Sequence, residues 1–398
     1  MSYLSGRQFV QLPGPTNVPE RILRAMSRPT IDHRGPEFAR LGLDVLQGMK
    51  EIFQTKGKVV IYPSSGSGAW EGALTNTLSQ GDKILMFDLG QFAALWIGVA
   101  RKLGLDVDVV ANDWRHGVDP KVVEAKLNED REHKIKAVCV VQNETSSGVT
   151  SRIKEVRAAM NRAQHPALLL VDAISSLGCM DLRHDEWEVD VTVAGSQKGL
   201  MLPPGLGFNC ISEKALAASK TARLPRSYWD WEMMLAQNAT GLFPYTPATN
   251  LLFGLKESLA MLREEGLQNV FARHKRHGEA TRRAVKIWGL ENVALDPKEF
   301  SDSVTAIFTP AGHSADEFRK VVLENFNLVL GSGLGRLADK AFRIGHMADV
   351  NDLMLAGTLS GVEMGLEIAG IPHHKGGIAA ALEFLTESAK EATVAVRA

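Results

Sequence analysis

From about residue 20 to residue 265, short apolar runs alternate with helix-length stretches, and this alternation constrains the fold more than any other feature of the chain. Residues 59–62, 84–87, 107–110, 137–141, 167–171, 189–194 and 208–211 have strand length and are rich in valine, leucine and isoleucine. Between them, 38–53, 69–78, 91–103 and 122–127 read as helices. A chain that alternates in this way builds a largely parallel sheet with helices on its faces. At 398 residues it is also too long for one ordinary core and fits about two domains. Composition shifts near Gly266, after which 303–308 and 328–330 read as strands of a smaller α+β unit. The expected division is an arm at 1–19, a large domain at 20–265 and a small C-terminal domain at 266–398.

The most telling stretch is 165–207. Its first strand ends in Asp172, and its second runs into Gly195-Ser196-Gln197-Lys198-Gly199. In an open α/β sheet the strand C-termini face the ligand crevice. An acid and an amine at neighbouring strand ends therefore point into one cleft. That pairing suits pyridoxal phosphate chemistry, in which a lysine bonds to the aldehyde and an acid keeps the pyridinium nitrogen protonated. Taken alone, the pair also fits a turn aspartate and a surface-loop lysine.

Other segments gather around the same edge. Strand 59–62 leads through Pro63-Ser64-Ser65-Gly66-Ser67-Gly68 into a helix. A Gly/Ser loop at a helix N-terminus cradles anions, with Ser67 adding a hydroxyl. It is not a Walker loop, and Gly72 falls one residue late for a dinucleotide fingerprint. Phe92 follows a strand end, where it can stack on a flat ring or join the core. Residues 142–148 are a run of amides and hydroxyls at another strand end. Leu12-Pro13-Gly14-Pro15-Thr16 excludes helix and favours a tightly turning arm. Residues 202–207 read as a rigid turn before strand 208–211. Arg34 is either a loop arginine or an anion contact. Arg336 lies in a glycine loop, and Arg343 lies on a strand of alternating character.

The net charge of −1 gives no electrostatic basis for binding nucleic acid or a membrane surface. The basic stretch 273–286 has no interleaved aromatics and reads as a solvated helix face. Residues 1–11 lack the apolar core of a signal peptide, and no apolar run approaches a membrane span. The three cysteines have no metal-site spacing and read as reduced packing residues, so no metal is expected and the cytoplasm is the expected location. Tyr228, Trp229 and Trp231 form a cluster suited first to packing, and otherwise to a dimer contact or a pocket wall.

Taken together, these pieces resemble the class V pyridoxal-phosphate aminotransferases, and among them the serine–glyoxylate and alanine–glyoxylate enzymes. The likeness rests on Gly14-Pro15-Thr16-Asn17, Ser67-Gly68, 143–148, Asp172, Gly195-Ser196-Gln197-Lys198, Pro203-Pro204-Gly205 and Phe342-Arg343-Ile344-Gly345, in that order along nearly the whole chain. It implies the fold type I of these enzymes, an α/β large domain with a mostly parallel seven-stranded sheet plus a smaller α+β domain. It implies that Lys198 bonds to pyridoxal 5'-phosphate and that Asp172 pairs with the ring nitrogen. Ser67, Gly68, Ala69 and Gln197 belong to the phosphate end, joined by Thr246 from the other subunit of a homodimer. Ala69 stands where relatives carry histidine, so it brings no polar side chain. Phe92 would stack on the ring, and Thr145 would contact the cofactor. Arg343 would hold the substrate α-carboxylate, and Gly14, Pro15 and Thr16 would line the substrate side. Arg34 and Arg336 remain as spare cations for a distal substrate carboxylate.

The implied reaction is ping-pong transfer of an amino group from a small amino acid to the 2-oxo acid glyoxylate. Serine is the favoured donor, with aspartate and alanine as alternatives. Cysteine desulfuration would need a reactive cysteine on a mobile loop, and none of the three has that setting. A nicotinamide-dependent oxidoreductase and a non-catalytic binding protein are the remaining readings; the off-spacing glycine opposes the first, and the Lys198–Asp172 pair the second.

Overall fold

The computed structural model describes residues 6–397, with side chains described through residue 390. Residues 1–5 of the expected arm and residue 398 lie outside the described residues. A seven-stranded sheet runs in the order Lys58–Ser64, Gly205–Ile211, Val191–Gly195, Leu168–Asp172, Ile135–Val141, Lys83–Phe87 and Asp106–Val110. Neighbours are parallel except at Gly205–Ile211, which is antiparallel to both its partners. The two strands at the centre of the expected site are buried at every residue, as their unbroken apolar runs require. Helices cover the sheet. Pro36–Phe53 opens with proline in its first turn and buries Phe38, Leu41, Val45, Met49 and Ile52. Gly66–Thr77 packs on Val191–Gly195 and Gly205–Ile211 through Ala69, Trp70, Ala73 and Leu74. Among the described residues no helix is long and apolar enough to cross a membrane.

A second, five-stranded sheet has the order Phe9–Gln11, Leu328–Ser332, Ala341–Gly345, Val304–Phe308 and Glu291–Asn292. Its apolar cluster is distinct from the first and contains Trp288, Phe318, Phe342 and Leu359. The arm contributes Phe9–Gln11 as a parallel edge strand of this second sheet. It then crosses to the first.

Two expectations are corrected. The stretch 202–207 is not wholly a turn: the strand begins at Gly205, because Gly205 and Leu206 already pair with Ser64 and Pro63. The basic stretch is not simply a solvated face. Helix Leu267–Trp288 puts Val270 in the first cluster and Ala280, Ala284, Val285 and Trp288 in the second. His274 and His277 are fully buried on it. Arg273 is half committed to the interior, bonding Glu265 and the carbonyls of Ala348 and Val350. A helix wedged between two cores buries cations that charge patterning alone would leave in water.

Candidate active site

The strands Lys58–Ser64, Val191–Gly195, Leu168–Asp172 and Ile135–Val141 end on one edge of the large sheet, where a cavity of about 210 Å³ opens. Lys198 follows the end of one strand and is 8% exposed. Its Nζ donates to the Pro13 carbonyl and lies 6.0 Å from the centre of the Phe92 ring. Burial, reinforced by the Arg343 charge, brings its amine down to about 8. Asp172, the last residue of its strand, is 4% exposed. Burial pushes its carboxyl up to about 7, against the opposing pull of two N–H donors. These are Ile174 N to Oδ1 at 2.7 Å and Trp70 Nε1 to Oδ2 at 2.9 Å. Burial thus moves the acid up and the amine down, in a site that penalises either charge alone.

The Gly/Ser loop becomes the first turn of helix Gly66–Thr77, so the helix starts earlier than its apolar pattern suggests. Ser65 takes the N-cap position without a side-chain cap bond. The first amides of a helix have no partner within it, which leaves those of this turn available at the cavity wall. Ser65, Gly66 and Ser67 line that wall together with Gln197. Gln197 Oε1 is buried without a hydrogen-bond partner.

Next to Thr145, Arg343 is 7% exposed. Its Nε donates to the Ser332 carbonyl at 2.7 Å and its Nη1 to the Thr145 carbonyl at 2.9 Å. Burial lowers its guanidinium to about 10. Thr145 lines the cavity, with Arg343 behind its carbonyl. Glu144 is fully buried and accepts from Ala93 N and Ser146 Oγ, while Ser146 Oγ accepts from Gln91 N. This pair caps helix Gln91–Lys102 from outside the helix and so fixes Phe92 at the cavity. Burial raises the Glu144 carboxyl above its ordinary value. The arm closes the site: Gly14 and Pro15 line it, and Thr16 donates from N to the Gln197 carbonyl at 3.3 Å.

Lys198, Asp172, Ser67, Phe92, Thr145, Gln197, Gly14 and Pro15 are therefore brought together, with Thr16 and Arg343 in contact behind them. Ala69 is corrected: its side chain is fully buried, its N–H goes to Ser65 and its carbonyl to Asn209, leaving nothing for a ligand. Gly68 lies behind the lining, pressed against Ser64 and Trp229. Arg336 is not a spare cation. It bonds Asp88 at 2.5 Å and stands over the Trp114 ring at 4.9 Å. Arg34 is exposed and Thr246 is exposed, and neither lines this chain's own cavity. Trp70, Asn143, Ile174 and Ser175 do line it, and sequence reasoning did not single them out for the site. Asn143 was legible as part of the amide-hydroxyl run. A tryptophan one turn into a helix gives no such signal, since aromatics there are mostly core.

The sequence profile described as aminotransferase class-V matches residues 13–336. A serine–glyoxylate aminotransferase of Methylorubrum extorquens is 49% identical over 96% of this chain and 97% of its own length. An L-aspartate–glyoxylate aminotransferase of Paracoccus denitrificans is 45% identical over 96% of each. Among solved structures, the pyridoxamine–pyruvate aminotransferase of Mesorhizobium loti superposes with a TM-score of 0.91 at 26% identity, covering 98% of this chain and 100% of that one. With a full-length match of this kind and a buried lysine–aspartate pair at the strand ends, the chain is an enzyme of the class-V aminotransferase family.

Proposed function

We propose that this enzyme uses pyridoxal 5'-phosphate to move an amino group from a small L-amino acid, serine in the first place, to glyoxylate by a ping-pong mechanism. The observation that carries this reading is the buried Lys198 amine sharing one cavity with the Asp172 carboxyl, with Arg343 close behind. The donor set fits the cofactor. The helix N-terminus, Ser67 and the neighbouring Gly68 amide offer donors for its phosphate, and Gln197 beside them brings a side-chain amide whose NH2 end can donate. Phe92 offers a ring face, and Thr145 a further contact. When bound, the cofactor supplies an electrophilic aldehyde and a ring that accepts an electron pair.

The chain's own residues do the rest. Arg343 orients the substrate by its α-carboxylate, for which a guanidinium fork is the natural partner. Lys198, its charge disfavoured by burial, would take the proton from the substrate α-carbon and deliver it to the carbon of the cofactor's former aldehyde, and would carry it the opposite way in the second half-reaction. Asp172 keeps a proton on the ring nitrogen. Gly14, Pro15 and Thr16 cover the site and keep water out.

Serine is favoured over aspartate because Arg336, one of the two cations offered to a distal carboxylate, is already paired with Asp88. The relatives named above support both donors. Cys139, Cys179 and Cys210 are buried and their thiols are pushed up, so none is poised for desulfuration. Their unpaired state supports a reducing, cytoplasmic setting. The same reading includes a homodimer in which Thr246 of each copy reaches the other's site, supported by its exposure here. It also includes the division 1–19, 20–265 and 266–398, supported by the two sheets with separate apolar clusters. The test is a donor and acceptor screen on purified enzyme. Serine with glyoxylate should give the highest specificity constant, and absence of glyoxylate-dependent turnover would overturn the proposal.

A further inference from the structure

Trp70 stands in the helix whose first turn forms the anion cradle, and it is 2% exposed. Its indole N–H meets Asp172 Oδ2, while the Ile174 amide meets Oδ1. Each carboxylate oxygen therefore carries one neutral donor, which locks the group against rotation about its last bond. An ionised carboxylate oxygen accepts more than one hydrogen bond, so both oxygens keep acceptor capacity toward the cavity that Trp70 and Asp172 line together. The indole is itself held, stacked on the buried Trp96 at 5.9 Å and 14°. The other charged groups facing Asp172 are Glu144 and Lys198, and Glu144 is spent on Ala93 and Ser146.

We infer that Trp70 is a positioning residue for the transamination: its indole N–H sets the orientation of the Asp172 carboxylate toward the cofactor's ring nitrogen. One helix thereby places both the phosphate cradle and the acid at the other end of the ring. This inference rests on the role proposed for Asp172.

The test is a double-mutant cycle of Trp70→Phe and Asp172→Ala, read by the pyridoxal phosphate dissociation constant of the cofactor-free chain and by kcat. Trp70→Phe keeps an aromatic ring for Trp96 and removes the donor together with part of the indole's volume, a packing loss common to both backgrounds that the cycle subtracts. It should weaken cofactor binding about ten- to hundredfold, the size of one hydrogen bond to a charged group. In the Asp172→Ala background the same change should cost only that packing loss. Equal losses in both backgrounds would reduce Trp70 to packing and overturn the inference. An Asp172→Ala chain that binds and turns over normally would instead remove the role of Asp172 itself. A second measurement needs no variant at Trp70. In the cofactor-free chain labelled with 15N-tryptophan, one indole N–H resonance should move as pH crosses about 7 and stay fixed in Asp172→Asn. No titrating indole, or one that titrates equally in Asp172→Asn, would overturn it.

Discussion

Gly14→Ala tests whether the arm shapes the lysine. Gly14 has φ +94, and a Cβ there would lie 2.5 Å from Lys198 Nζ and 2.6 Å from Cε, and against Cδ. Ordinary carbon contact begins near 3.5 Å, so the amine end must shift by about 1 Å. The end of a lysine is flexible and can swing aside. The stability loss should therefore be that of backbone strain alone, about 1–3 kcal/mol. The catalytic loss should be larger, because a 1 Å misplacement of a reacting group costs about a hundredfold. Gly81→Ala is the matched control: φ is +82, with nothing within 4 Å of the added carbon. Urea unfolding should show similar losses for the two variants. Specificity constants with serine and glyoxylate should fall only in Gly14→Ala. Wild-type turnover in Gly14→Ala, or an equal fall in Gly81→Ala, would refute the reasoning.

Arg343→Lys loses the planar fork and should lower the specificity constant for serine, alanine and aspartate alike by about ten- to hundredfold; a loss confined to one donor would contradict its role at the shared carboxylate. Arg336→Ala should leave the ratio of aspartate to serine use unchanged, since Asp88 and Trp114 already hold that charge, and a selective fall in aspartate use would restore it as a distal contact. In the cofactor-free chain Lys198 lies at about 8 against an ordinary 10.5. Between those values the unfolded chain binds the extra proton, so this group makes stability rise with pH across that window. The rate of pyridoxal phosphate attachment needs the free amine and should climb through the lower value; a flat profile would contradict the burial argument.

The large sheet was legible because its central strands are buried on both faces and read as unbroken apolar runs. The position of Asp172 and Lys198 at neighbouring strand ends followed from the same pattern, as did the Gly/Ser segment leading into helix Gly66–Thr77. What the pattern missed depended on contacts distant in sequence. Gly205 and Leu206 look like a turn after two prolines, and only pairing with Ser64 and Pro63 makes them strand. The cations of helix Leu267–Trp288 look solvated until two cores close on the helix. Arg336 looks free until Asp88, nearly 250 residues earlier, is brought against it. Trp70 enters the site through an N–H that composition cannot distinguish from a packed indole.

The central claim is that Lys198 carries the cofactor, and it has a direct test. The purified enzyme is loaded with pyridoxal phosphate, reduced with borohydride, digested, and the added mass located by mass spectrometry. The account predicts the label on the peptide containing Lys198, together with loss of the visible absorption band and of transamination in Lys198→Ala. Label on a different lysine, or a Lys198→Ala chain that keeps a borohydride-sensitive band, would contradict it.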